Sequence, residues 1–288
     1  MSGIFELEAA TQWAQPENLL IVDTLNLCFR YKHRGQTDFS AELLSTINSF
    51  AKSYNCKDVM VLADFKGSKY RKMLDPGYKG ARKEKFKDQT PEEEAKAIAF
   101  FDAFEESLEF VEEYHPVIRF EGVEADDTAT YLVKALKGHY KNIWLISTDR
   151  DWDLLLDVNV HRFSYITRRE YTLENFWEEH GCDSPEQYIS MKVLQGDSGD
   201  SVQGIAGVGT KRAYALTREY GSAMDLYCEI PLAGKQKFIQ NLNASGELIL
   251  LNYQLMDLLT YCEDAITFAD PENLEKLKRL CINVTNKG

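Results

Sequence analysis

The chain has 288 residues, of which 44% are hydrophobic and 12% aromatic; this excludes a disordered protein and supplies a sizeable core for one large domain, or a domain with a smaller appendage. No apolar run suits a bilayer crossing, and the opening M-S-G-I-F-E-L-E carries acids where a signal peptide carries basic residues, so a soluble, cytoplasmic protein with no membrane partner is expected. The formal net charge of −13 argues, on average, against a phosphate backbone as partner.

Taken in order, the first strand candidate is N-L-L-I-V (18–22), which runs into Asp23. Ser40 to Tyr54 has helical period, with Leu43, Leu44, Ile47 and Phe50 on one face. The run D-V-M-V-L (58–62) leads through Ala63 to Asp64. From Lys66 to Lys87 nine basic residues stand against two acids, whereas Asp88 to Glu113 holds ten acids and a single cation, Lys96. Two opposed blocks suggest an element with one end toward an anion. Within the basic block Tyr78 accompanies Lys79, Arg82, Lys83, Lys85 and Lys87, a mixture that suits single-stranded nucleic acid or, equally, a solvated charged helix.

Pro91 to Tyr114 reads as a helix opening on Thr-Pro and three glutamates. A strand at 116–120 precedes G-V-E-A-D-D, where Glu124, Asp126 and Asp127 crowd the start of a helix continued by Ala129, Leu132, Val133 and Leu136. Glu124 and Asp127, three apart, share a helix face, and one of them could simply cap the helix. The strand at 142–146 leads to Asp149, Asp151 and Asp153; an EF-hand is ruled out because position 154 is Leu and position 160 is Val. Asp153, before an apolar run, reads as a helix cap. Residues 162–171 alternate like a hairpin. After Pro185 the chain reads as helices broken by glycines, with Asp197 and Asp200 in G-D-S-G-D. Gly204, Gly207 and Gly209 precede Lys211 and Arg212, either a close approach to phosphate or an ordinary helix–helix turn. Lys235 and Lys237 form a second small basic site. The six cysteines, without a C-x-x-C pair or histidine partners, read as reduced thiols, not zinc ligands or disulfides.

Strands alternating with helices indicate an α/β fold with a mainly parallel sheet. Three strands ending in aspartate place those carboxylates at one sheet edge, where ligands of such folds bind. So much like charge requires cations, and oxygen donors favour Mg²⁺ or Mn²⁺. Two such ions about 3.5–4 Å apart support metal-assisted phosphodiester hydrolysis.

Together, I-V-D-x-x-N, V-L-x-D, Y-K-G-x-R, G-V-E-A-D-D, L-I-S-T-D-x-D-W-D, G-D-x-G-D and G-V-G-x-K-R resemble the 5′-nuclease superfamily of flap endonucleases and 5′–3′ exonucleases, particularly those of T-odd bacteriophages. The resemblance implies a PIN-like nuclease core over 1–183 with a helical arch at about 75–114, then a helix-hairpin-helix region and C-terminal helices over 184–288. It implies that Asp23, Asp64, Glu124, Asp126, Asp127, Asp149, Asp151, Asp197 and Asp200 hold two Mg²⁺, or Mn²⁺ in their place, directly or through water. Lys79 and Arg82 would assist at the scissile phosphate. Tyr78, Lys83, Lys192, Gly207, Gly209, Lys211, Arg212 and Lys235 would meet DNA, and hairpin carbonyls would hold K⁺. The implied partner is DNA with 5′ flaps, overhangs or free 5′ ends, bound by a monomer, in the host cytoplasm if phage-encoded. Ser201 stands where many members have Asn, and Thr148 where many have Gly; neither removes a carboxylate. The alternatives are a non-catalytic DNA-binding module and an RNA-cleaving PIN-type nuclease.

Overall fold

The computed structural model describes residues 17–81 and 89–286. Its centre is a sheet of order β3-β2-β1-β4-β5-β6, built from Asn18–Asp23 (β1), Cys56–Leu62 (β2), Val117–Ile118 (β3), Ile143–Ile146 (β4), Val160–Ser164 (β5) and Arg169–Tyr171 (β6). The first five are parallel and β6 returns antiparallel against β5. The hairpin read at 162–171 is that return, with Arg162 opposite Tyr171. The strand read at 116–120 is shorter than its apolar pattern, reduced to two residues at the sheet edge.

Both faces of the sheet are covered, so its central strands are apolar on both sides. Leu19 and Ile21 of β1 pack with the helix Ala125–Leu136 and the C-terminal helices Leu258–Ala269 and Pro271–Thr285. Leu20 and Val22 point the other way, into Thr24–Arg34, Ser40–Ser53 and the inner face of Pro91–Glu112. The last helix opens with a capping box in which Thr90 and Glu93 satisfy each other's backbone amides. From Phe176 onward the chain is helical, and its core joins the sheet layer through Leu154, Leu156 and Tyr171. Among the described residues no helix is long and apolar enough to cross a membrane.

The chain runs from β1 to β2 and β3 on one side, then crosses to β4 and β5 on the other. The strand order therefore reverses between β1 and β4, and helices diverging from these two strand ends leave a crevice, as at the switch point of any doubly wound sheet.

The loop carrying Asp197 and Asp200 is pinched at its base. Asp197 and Val202 exchange backbone hydrogen bonds of 2.9 and 2.7 Å. Below them Gly196 and Gly204 let two backbones touch: a Cβ on Gly204 would lie 1.8 Å from the Gln195 carbonyl oxygen. Gly204, read from sequence with the phosphate-approaching glycines, thus serves this neck, whereas a Cβ on Gly209 meets nothing within 4 Å. Gly204→Ala is expected to lower the urea unfolding free energy by about 1–3 kcal/mol or more, as overpacking does. Gly209→Ala should change it by less than about 1 kcal/mol, and equal effects in the two would contradict the neck.

Candidate active site

Asp23 closes β1 and also caps the helix Thr24–Arg34, accepting from the Asn26 amide at 3.3 Å. Its other oxygen accepts from the Ser147 hydroxyl at 2.7 Å, which ties β1 to the end of β4 across the switch point. Asp64, two residues beyond β2, accepts from the Ala125 amide at 2.6 Å. Asp126, in the first turn of Ala125–Leu136, is aimed by the indole of Trp152 at 2.6 Å. Asp149 follows β4 and caps the 3-10 turn Arg150–Leu155 through the Asp151 amide. The pinched loop adds Asp197 and Asp200. Seven aspartates, Asp23, Asp64, Asp126, Asp149, Asp151, Asp197 and Asp200, line one cavity of about 370 Å³ together with Lys79.

Two ammonium groups stand among them. Lys79 reaches Glu124 at 2.6 Å and Asp200 at 3.8 Å. Lys192, on the helix Pro185–Gln195, bonds Asp151 and lies 3.1 Å from Asp197. Carboxylates still far outnumber these cations. Burial, then the neighbouring Asp64, pushes the Asp23 carboxyl up to about 8. The desolvating walls of the cleft, and then Glu124, Asp149 and Asp151 respectively, also displace Asp64, Asp126 and Asp149 upward. Asp64 and Asp149 reach open solvent, so the pH response rests with Asp23, only 8% exposed, and half-buried Asp126. Asp197 goes the other way: burial opposes its charge, but Lys192 holds it below the ordinary carboxylate value.

Asp127, expected among the metal-facing acids, lies outside the cavity. Both its oxygens are taken by Arg71 at 2.7 and 2.8 Å, and the same guanidinium bonds Glu124 at 3.1 Å and the Leu255 carbonyl at 2.8 Å. The helix face shared by Glu124 and Asp127 is thus turned on a protein cation, and only Asp126 points into the cleft. Glu124, despite its burial, is held below its usual value by Arg71 and Lys79; Asp127 is raised by complete burial, which outweighs its bonds to Arg71. Glu124 sits just behind the cavity wall, bound to Lys79. Tyr78, expected to meet nucleic acid, is 4% exposed in the helical core. Its ring cannot stack a base; its hydroxyl serves Glu124 and Asp200 at 3.2 and 3.0 Å.

The basic block is correspondingly less free than its composition suggests. Arg71 is buried, and Lys66 and Lys69 pair with Glu121. Arg82, Lys83, Lys85 and Lys87 lie outside the described residues. In the hairpin, by contrast, separate motifs meet. Gly207 takes a φ of 86° in the turn, and Gly209 caps the helix Thr210–Tyr220. Arg212 donates to the Gly207 carbonyl at 2.5 Å and stacks 4.5 Å over Phe238, while Asn241 donates to the Ala206 carbonyl at 2.7 Å. These contacts set exposed Lys211 and Arg212 beside the segment of Lys235 and Lys237, also exposed.

Leu25, Asn26, Phe29 and Gly199 also line the cleft. They went unassigned because the helix Thr24–Arg34 is not evident until Asp23 is seen to cap it; the i, i+4 pair Leu25 and Phe29 was the available signal.

Donor chemistry tests the fit to divalent ions. Every candidate ligand is a carboxylate oxygen, and the carboxylates ring the cavity instead of closing on a point; among the described residues no group of three already converges at chelating distance. Hard cations that retain part of their water shell fit such a ring.

Sheets of this topology that bind nucleotides offer glycines and cations at the switch point, and this one offers aspartates. A cleft of that sign takes metal ions and, through them, a phosphodiester, which defines the class as an α/β nuclease. The chain belongs to the 5′–3′ exonuclease family: the family's N-terminal resolvase-like domain matches residues 18–181 and its C-terminal SAM fold residues 183–278. It is 44% identical over 286 residues to the flap endonuclease of Escherichia phage T5, covering 99% of this chain and 98% of that one. A crystal structure of the bacteriophage T5 flap endonuclease, in a pseudo-enzyme–product complex with DNA and metal ions, superposes with a TM-score of 0.90 at 44% identity, over 93% of this chain and 99% of that chain. The thermostable DNA polymerase I of Thermus caldophilus is 26% identical over 88% of this chain and 30% of its own length.

Adjacent acids here should respond oppositely to removal. Asp127→Ala strands a buried guanidinium and is expected to cost about 3–5 kcal/mol of stability. Asp126→Asn relieves repulsion while keeping an oxygen to accept from the Trp152 indole, and should leave the metal-free protein as stable or more so; chemical denaturation in EDTA distinguishes the two.

The raised Asp23 pKa sets a pH dependence. Because the folded state binds its proton more tightly than the unfolded chain, this stabilisation is fully present below the unfolded value of 3.8 and is lost as pH rises through about 8. In EDTA the melting temperature should fall across that window. Mg²⁺ should restore it increasingly toward the alkaline end, and calorimetry showing equal Mg²⁺ stabilisation at both ends would contradict the assignment.

Proposed function

We propose that this chain is a Mg²⁺-dependent, structure-selective 5′ nuclease, with flap endonuclease and 5′–3′ exonuclease activity, that hydrolyses DNA phosphodiesters near junctions of single strand and duplex. The observation that carries this reading is the cavity of seven aspartates at the switch point, with Lys79 on its wall, in a chain similar over its full length to a flap endonuclease. Two Mg²⁺, or Mn²⁺ in their place, would be held by Asp23, Asp64, Asp126, Asp149, Asp151, Asp197 and Asp200, with Glu124 behind them. Bound there, the ions would activate water and polarise the phosphate.

The protein's own groups have separate tasks. Lys79, poised between Glu124 and Asp200, can donate to a phosphoryl oxygen as charge develops on it. Lys192 bridges Asp151 and Asp197 and favours the ionised form of Asp197. Exposed Lys211, Arg212 and Lys235 track the backbone of the duplex, whose affinity for them falls with salt. The hairpin turn is also the place for K⁺; its Ala206 and Gly207 carbonyls already accept from Asn241 and Arg212, so an ion there shares them through their second lone pairs. The helix Pro91–Glu112 and, of the described residues before it, 75–81 belong to the arch through which a 5′ single strand passes. The protein works as a monomer on flaps, overhangs and free 5′ ends, in a host cytoplasm if it is phage-encoded.

End-labelled 5′-flap DNA tests this directly. Mg²⁺ should produce cuts at the junction, and Asp149→Asn should lower turnover by at least about 100-fold, the scale on which a single stabilising group acts, with DNA affinity retained. Mg²⁺-independent binding without cutting would instead establish a DNA-binding module, and preference for RNA flaps an RNA-processing enzyme.

A further inference from the structure

Asp153, third acid of the D-x-D-x-D run, takes no part in the cavity. It is wholly buried, and so are its partners Arg162 and His180, whose side chains are each 1% exposed. Arg162, on β5, gives Nε and Nη2 to the two Asp153 oxygens at 2.5 and 2.7 Å, and Nη1 to the Ser147 carbonyl at 2.9 Å. One guanidinium thereby bonds both ends of the segment 147–153, which carries Asp149 and Asp151 between them. The Tyr171 ring covers it at 4.0 Å.

His180 completes the arrangement from the helix Phe176–His180. Its Nδ1 accepts from Arg150 at 3.2 Å, which leaves the proton on Nε2, 2.8 Å from Asp153 Oδ2. Arg150 lies between the two cleft acids in sequence, and this contact, with a 2.8 Å bond to the Glu179 carbonyl, draws its side chain toward that helix. Ser147, held by Arg162 through its carbonyl, uses its hydroxyl to accept from the Asp149 amide and to donate to Asp23.

A buried ion pair contributes little net stability, because desolvating both charges offsets their attraction, and apolar side chains of similar volume often do as well. What an apolar pair cannot supply is direction. Two carboxylate oxygens and a carbonyl fix the guanidinium, an imidazole fixes the carboxylate, and the guanidinium fixes where residues 147 and 153 lie.

We propose that Arg162, together with Asp153 and His180, is the positioning group of the cleft: it holds the segment 147–153 so that Asp149 and Asp151 face the cavity and the Ser147 hydroxyl meets Asp23, while touching neither DNA nor metal itself. The proposal rests on reading the cavity as a divalent-metal site. Groups that orient metal ligands from behind typically govern affinity by about 10–100-fold.

The test is Mn²⁺ binding to the full-length, DNA-free protein by calorimetry, with urea unfolding alongside, for the wild type, Arg162→Lys, Asp153→Asn and the volume-matched pair Asp153→Leu with Arg162→Met. The expected result is cooperative folding in the conservative variants, Mn²⁺ affinity lower by about 10–100-fold in them, and no recovery in the apolar pair even where its stability equals that of the wild type. Flap cleavage should need correspondingly more Mg²⁺, with KM for DNA unchanged. A folded variant that binds Mn²⁺ as the wild type does overturns the proposal. So does unfolding of every variant, since the pair would then serve stability alone. A wild type that binds no Mn²⁺ overturns the metal reading first, and the wild-type arm tells the two failures apart.

Discussion

Everything about this molecule is conditioned by the repulsion among seven aspartates around one cavity. Like charges at such separations, in surroundings less polar than water, cost several kcal/mol unless protons or cations intervene. The protein by itself resolves only part of this, through Lys79, Lys192 and a carboxyl at Asp23 that keeps its proton to about pH 8. The remainder is a standing demand for external positive charge, and the same demand makes the site selective for hard ions over the apolar ligands that a cleft of this size could otherwise hold.

Such a site would not survive as a loose cluster. Four of the seven acids are aimed by specific donors: Ser147 for Asp23, the Ala125 amide for Asp64, Trp152 for Asp126 and the Asp151 amide for Asp149. Two buried arginines brace the set from behind, Arg71 through Glu124 and Asp127, Arg162 through Asp153. Arginine suits both places because its planar, permanently charged fork matches a carboxylate at two points. The sheet contributes by geometry alone, since the reversal of strand order between β1 and β4 opens the crevice into which these side chains fall.

Strand ends were legible in the sequence because an apolar run terminating in aspartate is a local pattern, and three of them sufficed to place a cleft. What could not be read locally was the side to which an acid turns. Asp126 and Asp127 are neighbours of the same type, and the 100° rotation between successive helix residues sends one to the cavity and the other to Arg71. The sign of the basic block misled for a related reason: Lys66, Lys69 and Arg71 find acids distant in sequence, so a charge count along the chain overstates the free positive surface. Tyr78 looked like a stacking residue by its company, but its ring fills the helical core. Gly204 has the composition of a phosphate loop and the job of a hinge pin between two backbones, a distinction that only the approach of Gln195 reveals.

The hydrogen bond from Arg71 to the Leu255 carbonyl gives the cleft an order of assembly. The acids arrive in sequence from residue 23 to residue 200, but Arg71, which binds Glu124 and Asp127 behind the cavity, has its full set of partners only when residue 255 is in place. A growing polypeptide, folding from its N-terminus as it is made, therefore presents strands, helices and scattered carboxylates well before it presents a finished cleft. The wall behind the cleft is therefore closed by a contact between residues 71 and 255, so a partial translation product carries all the acids before it carries that contact.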